Sequence, residues 1–164
     1  KMGPNLNFQK VGWGSTAYAL TVALRYDMLR EPLGLHFNLN DLDYEQGTVH
    51  WAGLSEEGEV LACLVLRPAS TTSVLPEGYS MEEAYQMRQV AVKPSYQGLG
   101  LGRALVFHSQ NWLRDQVKAR LVFLHSRPQA VGFYQRLGYQ TFREPVMEVG
   151  LLHTRMFMDL QSPV

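Results

Sequence analysis

The chain has one cysteine, no net charge and no long apolar run, and each shortage closes off a class of protein. Cys63 stands alone inside Val60-Leu61-Ala62-Cys63-Leu64-Val65-Leu66, so no internal disulfide can form. A buried, inert thiol in a reducing cytoplasm is expected. Fifteen Lys and Arg balance fifteen Asp and Glu, and no block of like charges could hold a polyanion, which argues against a nucleic-acid partner. Trp13, Trp51 and Trp112 are too scattered to form a stacking platform for single strands. No stretch approaches the roughly eighteen apolar residues of a membrane span, and nothing at the start resembles a secretory signal, so a soluble cytoplasmic protein with no membrane partner is expected. His36, His50, His108, His125 and His153 lack the i, i+4 spacing or the carboxylate and thiol company of a zinc site, and no metal is expected.

What remains is 164 residues, 46% hydrophobic: enough for one domain over 1–164 with a real core, and too little for two. Lys1-Met2-Gly3-Pro4 reads as a cloning remnant and carries no weight. Residues 15–29 place Ala17, Leu20, Ala23, Leu24 and Met28 at the helical period, with Ser15 as N-cap. Pro32, Gly34 and several Asn and Asp residues break that pattern over 30–46. Residues 48–54 and 59–67 read as strands joined by the turn Ser55-Glu56-Glu57-Gly58. The segment 68–79, with two prolines and many small polar residues, reads as an exposed loop. Further strands are expected at 87–92, 119–124, 139–142 and 154–160. Helices are expected at 102–116 and 128–137, the second ended by Gly138.

The segment running from Val90-Ala91-Val92 through Gln97-Gly98-Leu99-Gly100-Leu101-Gly102-Arg103 is the most informative. A β-rich run passes through glycines straight into a helical pattern, which is how a chain builds an anion site. Gly98, Gly100 and Gly102 lack the Cβ atoms that would keep a phosphate from the backbone, and they permit positive φ. The helix opening near Gly102 adds unpaired N–H donors and the positive end of its dipole. A P-loop would need Lys then Ser or Thr after the last glycine, where this chain has Arg103-Ala104. A Rossmann fingerprint would need G-x-G-x-x-G, and here glycines alternate. For the glycines alone, a tight turn without a ligand is the plain alternative.

Gln97-x-x-Gly100-x-Gly102 resembles the Arg/Gln-x-x-Gly-x-Gly/Ala signature of the GNAT superfamily of acyl-CoA-dependent N-acyltransferases. Downstream, Phe133-Tyr134-x-x-Leu137-Gly138-Tyr139 is similar to the end of that superfamily's later helix. Gly150-x-x-His153-x-x-Met156 is similar to the ending of a group of small bacterial members. The resemblance covers roughly 48–160 and is strongest over 90–139. It implies an α/β (α+β) fold with a central, twisted, mostly antiparallel sheet flanked by helices.

The resemblance also implies acetyl-CoA as acyl donor. Its pyrophosphate would lie on the N–H groups of Gly98, Leu99, Gly100, Leu101 and Gly102, with Arg103 or Gln97 adding side-chain contacts. The backbone of Val90, Ala91 and Val92 would pair with the pantetheine arm in the manner of an added strand. Arg127 stands where many relatives carry an Asn that contacts the donor, a departure from the pattern. Tyr134 occupies the position of the tyrosine that protonates the departing thiolate. A covalent route through Cys63 is unsuited, because an apolar strand offers no activating base. The proton acceptor is open among Glu82, Glu83, His50 and His153. The selecting surface for the acceptor is expected at 25–46 and 68–83, with Arg25, Arg30, Glu31, Asp41 and Asp43 supplying both signs of charge. The implied activity is acetyl transfer to the primary amine of a small molecule by direct attack. A non-catalytic acyl-CoA sensor, a protein or peptide acetyltransferase and a homodimer are left open.

Overall fold

Val60–Pro68 is apolar on both of its faces, and all but its last two residues are buried, so the pattern that marks an inner strand is present before any partner is named. The computed structural model describes residues 6–33 and 47–161, with Arg30 and Leu33 described by backbone alone. Lys1 to Pro4, Asp41, Asp43 and His36 therefore lie outside the described residues. The class is mixed α/β, an open and mostly antiparallel sheet flanked by helices, and the chain divides into two units.

The first unit takes the described residues of Lys1–Arg67 together with Gln89–Ser109. Its strands β1 (Asn7–Val11), β2 (Val49–Leu54) and β3 (Val60–Pro68) run antiparallel in sequence order, and β4 (Ala84–Val92) lies next to β3. The β2–β3 turn has the expected form: Gly58 takes φ +85° and its N–H reaches the carbonyl of Ser55 at 3.0 Å. β1 was not expected. Its apolar residues Phe8 and Val11 do not alternate at period two, and the strand is fixed by its register from Asn7↔Leu54 to Val11↔His50. Helix α1 (Thr16–Arg25) opens on Ser15, whose hydroxyl accepts the Tyr18 N–H at 3.1 Å. It ends four residues earlier than the periodicity predicts: a π turn follows at Tyr26–Arg30, then a 3-10 turn at Glu31–Leu33, where Pro32 has no N–H to continue a ladder. Leu24, with Ala17 and Met28, packs on Val11, Ala52, Val60, Cys63 and Ala91. Cys63 is buried, as expected, and is in no disulfide; its Sγ lies 3.8 Å from the Thr21 carbonyl.

The second unit takes Pro68–Arg88 and the described residues of Gln110–Val164. Here β4 runs parallel to β5 (Leu121–Ser126) through Ala84↔Leu121, Tyr85↔Val122 and Gln86↔Phe123. β5 pairs antiparallel with β8 (Leu151–Asp159) over six residues, and β6 (Gln140–Thr141) and β7 (Val146–Glu148) both pair with β8. The β7–β8 hairpin escapes sequence reading because its two turn residues, Val149 at φ +44° and Gly150 at φ +77°, put a β-branched residue where Asn or Asp would signal the turn. Segment 68–79 is largely exposed but tied down: Leu75 and Tyr79 pack on Ala84, Leu121 and Phe123. The Tyr79 hydroxyl donates to Asp159 Oδ2 at 2.6 Å, and the Arg120 guanidinium lies 4.6 Å from the Tyr79 ring centre. Helix α2 (Leu101–Trp112) belongs to both units, and α3 (Val131–Arg136) to the second.

Candidate active site

In the first unit, β4 ends at Val92, and the Lys93 N–H bonds the Leu61 carbonyl at 2.8 Å. A 3-10 turn at Pro94–Tyr96 reverses the chain, and the Gln97 amide folds back to donate to the Val92 carbonyl at 3.0 Å. Gln97 therefore braces the loop against the strand end. Gly98 and Gly100 take φ +80° and +84°, the left-handed region, and a Cβ built on either would meet nothing within 4 Å. Glycine is required there by backbone conformation, and the space beside it is free of protein. Gly102 departs from expectation: it lies in the first turn of α2 and does not take positive φ, since by then the chain is helical.

The first i to i−4 bond at the start of α2 runs from the Ala104 N–H to the Gly100 carbonyl at 3.0 Å. The N–H groups just ahead of Ala104 have no place in the i to i−4 ladder, which leaves them for an anion. α2 turns Leu101, Leu105, Val106 and Ser109 inward, while Leu99 and Arg103 are exposed. Val90 and Val92 are half-buried and Ala91 is core, so these three residues offer an incoming ligand backbone only. The ladder from β4 to β5 takes in Ala84, Tyr85 and Gln86 and none of residues 90–92. The chain thus brings Val90, Ala91, Val92, Gln97, Gly98, Leu99, Gly100, Leu101, Gly102 and Arg103 into one stretch of strand end, exposed loop and helix start, a cradle fit for a phosphate-bearing chain.

Arg25, expected on the acceptor surface, is fully buried, with its Nη1 2.6 Å from Gln89 Oε1. Its charge is inside the first unit, so it does not contribute to an acceptor surface. The side chain of Arg30 is outside the description.

Tyr134 and Arg127 stand in the second unit. α3 follows a 3-10 turn at Pro128–Ala130 and closes with Gly138 at φ +98°, where a Cβ would come within 3.0 Å of Met158 Cε. The Tyr139 N–H reaches the Tyr134 carbonyl at 3.0 Å, and the Gly138 N–H reaches the Gln135 carbonyl at 3.0 Å. That pair of bonds is a Schellman motif, and it draws the Tyr134 and Tyr139 rings to 5.5 Å edge to face. The Tyr139 hydroxyl donates to Gln110 Oε1. The Tyr134 hydroxyl has no hydrogen-bond partner among the described residues, and burial pushes its pKa well above the usual phenol value. Its proton is retained at every working pH. Arg127 is half-buried at the turn ahead of α3, and its carbonyl accepts the Ala130 N–H at 3.0 Å.

The structure sorts the candidate proton acceptors. His50 is buried, its Nε2 2.8 Å from Thr48 Oγ1 and its ring edge-on to Tyr18. His153 is buried with Nδ1 2.9 Å from the Leu151 carbonyl. Glu83 accepts the Ser80 N–H at 2.9 Å in a capping box, which gives it a structural task; Glu82 is exposed. The arrangement that sequence reading missed is His125 on β5 with Glu148 on β7: His125 Nδ1 and Glu148 Oε2 lie 2.8 Å apart. The hydrogen bond with His125 holds the Glu148 carboxyl below its usual range, helped by the charges of His125, His153 and Arg88. His125 Nε2 is buried without a partner. Spacing could not have revealed the pair, because the β7–β8 hairpin that carries Glu148 was itself hidden. Among the described residues there is no group of three or more His, Cys, Asp or Glu that could hold a metal ion, and no helix is long and apolar enough to cross a membrane.

The fold is shared with solved proteins of other organisms. Escherichia coli ElaA superposes with a TM-score of 0.73 at 17% identity, over 94% of this chain and 100% of that one. An acyl-CoA N-acyltransferase from Pseudomonas aeruginosa gives 0.71 at 18% identity, over 93% of this chain and 99% of that one. A Bacillus subtilis (strain 168) protein named provisionally as an acetyltransferase is 32% identical over 71 residues, 43% of this chain and 48% of its own length. The matched stretch spans about half the length of the curated relatives. The model of the acetyltransferase (GNAT) family matches residues 18–139, and the chain belongs to that family.

Proposed function

We propose that this protein is an N-acetyltransferase that moves an acetyl group from acetyl-CoA to the primary amine of a small molecule. The observation that carries the reading is the glycine loop: two left-handed glycines beside open space, followed by the free N–H groups of a helix start, in a chain of the GNAT family. Residues 98–103 would hold the pyrophosphate, and the backbone of Val90, Ala91 and Val92 the amides of the pantetheine arm. The family match runs from residue 18 to residue 139 and so takes in sequence from both units, which supports reading the chain as one domain.

The reaction is written as direct attack. The neutral amine nitrogen bonds to the thioester carbonyl carbon, the tetrahedral centre collapses with cleavage of the C–S bond, and the sulfur leaves with the electron pair. One proton leaves the nitrogen and one reaches the sulfur. Tyr134 is assigned the second task. A phenol whose pKa is raised by burial is always protonated, yet a thiol ordinarily holds its proton near pH 8.5. Complete transfer to the thiolate is therefore uphill, and Tyr134 acts chiefly as a hydrogen-bond donor to charge developing on sulfur. For the nitrogen's proton, His125 is the described imidazole with an orienting carboxylate, Glu148, on its other ring nitrogen. Cys63, buried in an apolar strand, takes no part.

With Arg25 inside the fold, the described part of the expected acceptor surface does not select among amines by a balance of charge, and the acceptor is proposed only as a small amine. The protein is proposed to be cytoplasmic. Thiol release from acetyl-CoA in the presence of small amines, amino acids, polyamines and a basic peptide tests the assignment. Turnover with one or more small amines is expected. Release with the peptide alone would make it a protein acetyltransferase, and CoA binding with no release in any arm would make it a sensor.

A further inference from the structure

Gln89 takes φ +53° within β4, a backbone state that non-glycine residues avoid at a cost and hold only when their surroundings impose it. Its side chain shows what imposes it here. Arg25, in the last turn of α1, has no solvent exposure, and its Nη1 donates to Gln89 Oε1 at 2.6 Å. The guanidinium carbon lies 6.0 Å from the Tyr18 ring centre, about two helical turns earlier on α1. A cation wholly removed from water needs its donors satisfied, so a hydrogen bond from it to a neutral amide is hard to exchange for another conformation. Gln89 directly precedes the three residues whose peptide groups the proposed function assigns to the pantetheine arm. Its φ sets the direction in which those peptide groups point.

We propose that Arg25 is a positioning residue for acyl-CoA: by holding Gln89 in its left-handed turn, it aims the backbone of Val90, Ala91 and Val92 for the donor. This rests on the donor site proposed above. Arg25 touches no substrate in this account, and its effect passes through the backbone at residue 89. Without the latch, the strand relaxes toward ordinary extended geometry, and the donor's affinity falls by the fraction of molecules that remain correctly bent.

Three variants of the full chain decide the matter by calorimetric titration with CoA, thermal melting and amide hydrogen exchange. Arg25→Met keeps the length of the side chain and removes the latch. It is expected to weaken CoA binding roughly ten-fold, the scale set by the cost of a left-handed non-glycine residue, and to speed exchange at the Ala91 and Val92 amides. Gln89→Gly adopts positive φ with no latch and is expected to bind CoA within about two-fold of the wild type. Arg25→Met with Gln89→Gly is expected to recover that affinity and slow the exchange again. If Arg25→Met does not fold, Gln89→Leu, which keeps the Cβ and loses the acceptor oxygen, is expected to show the same ten-fold loss. Affinity and exchange unchanged in Arg25→Met, or no recovery in the double variant, would overturn the proposal and leave Arg25 a packing residue. Wild-type protein that binds no CoA would overturn the donor site instead, while the exchange data would still judge the latch.

Discussion

The glycine loop and the tyrosine corner are built on opposite plans. Residues 97–100 are exposed, and the loop's capacity lies in backbone N–H groups, two positive φ angles and empty space. Tyr134 is buried, and its capacity lies in one hydroxyl whose setting is made by Phe133, Tyr139 and the Schellman closure at Gly138. A backbone site tolerates side-chain variation and fails when a Cβ is added. A side-chain site tolerates backbone-neutral changes around it and fails when one atom is removed. The first plan suits holding a large anionic donor, and the second suits contact with a single reacting atom.

The sharpest way to break the comparison is to take away that one atom. Tyr134→Phe leaves the ring packing with Phe133 and Tyr139 in place, so the fold and CoA affinity are expected to persist while turnover falls by roughly 10²–10⁴-fold. Because the raised pKa keeps the hydroxyl protonated, the wild-type rate is expected to show no alkaline loss from this group below the usual phenol value. A pH–rate series on both proteins checks this, and undiminished turnover in the variant would make Tyr134 a packing residue.

A smaller effect sharpens the second-unit side. Glu148 has its pKa lowered on folding, so its contribution to stability is present above the unfolded carboxylate value and is lost as pH falls through the folded one. Half-exposed, the pair with His125 is screened. Glu148→Gln is expected to lower Tm by no more than about 2–4 °C at neutral pH, the difference closing below the ordinary glutamate range. Melting curves across pH check the sign. A gap that widens in acid would contradict the assigned cause.

These contrasts also explain what the sequence disclosed. Strands β2 and β3, the turn at Gly58, the Ser15 cap and the loop glycines at 98 and 100 follow local rules, and local rules are legible in one chain. Where distant residues decide, sequence reading fell short. Arg25 reads as a surface charge until α1 turns it inward onto Gln89. β1 and β7 are strands only because β2 and β8 give them register. Glu148 meets His125 across 23 positions, through a hairpin whose turn residue Val149 violates the usual chemistry. Gly102 erred the other way: it joined the glycine pattern in sequence but does helical work in the fold.

The central claim is that the left-handed loop glycines form the donor's phosphate site, and Gly100→Val tests it most directly. A Cβ at this position meets no protein atom within 4 Å, so the variant is expected to fold with Tm lowered by only a few degrees from the strained φ. Its branched carbons would occupy the open space and displace N–H contacts to the anion. Calorimetric titration with CoA is then expected to show affinity weakened by about 100-fold or more, the loss of roughly two charge-assisted hydrogen bonds. A folded Gly100→Val protein that binds CoA as tightly as the wild type would contradict the account and leave the loop a turn.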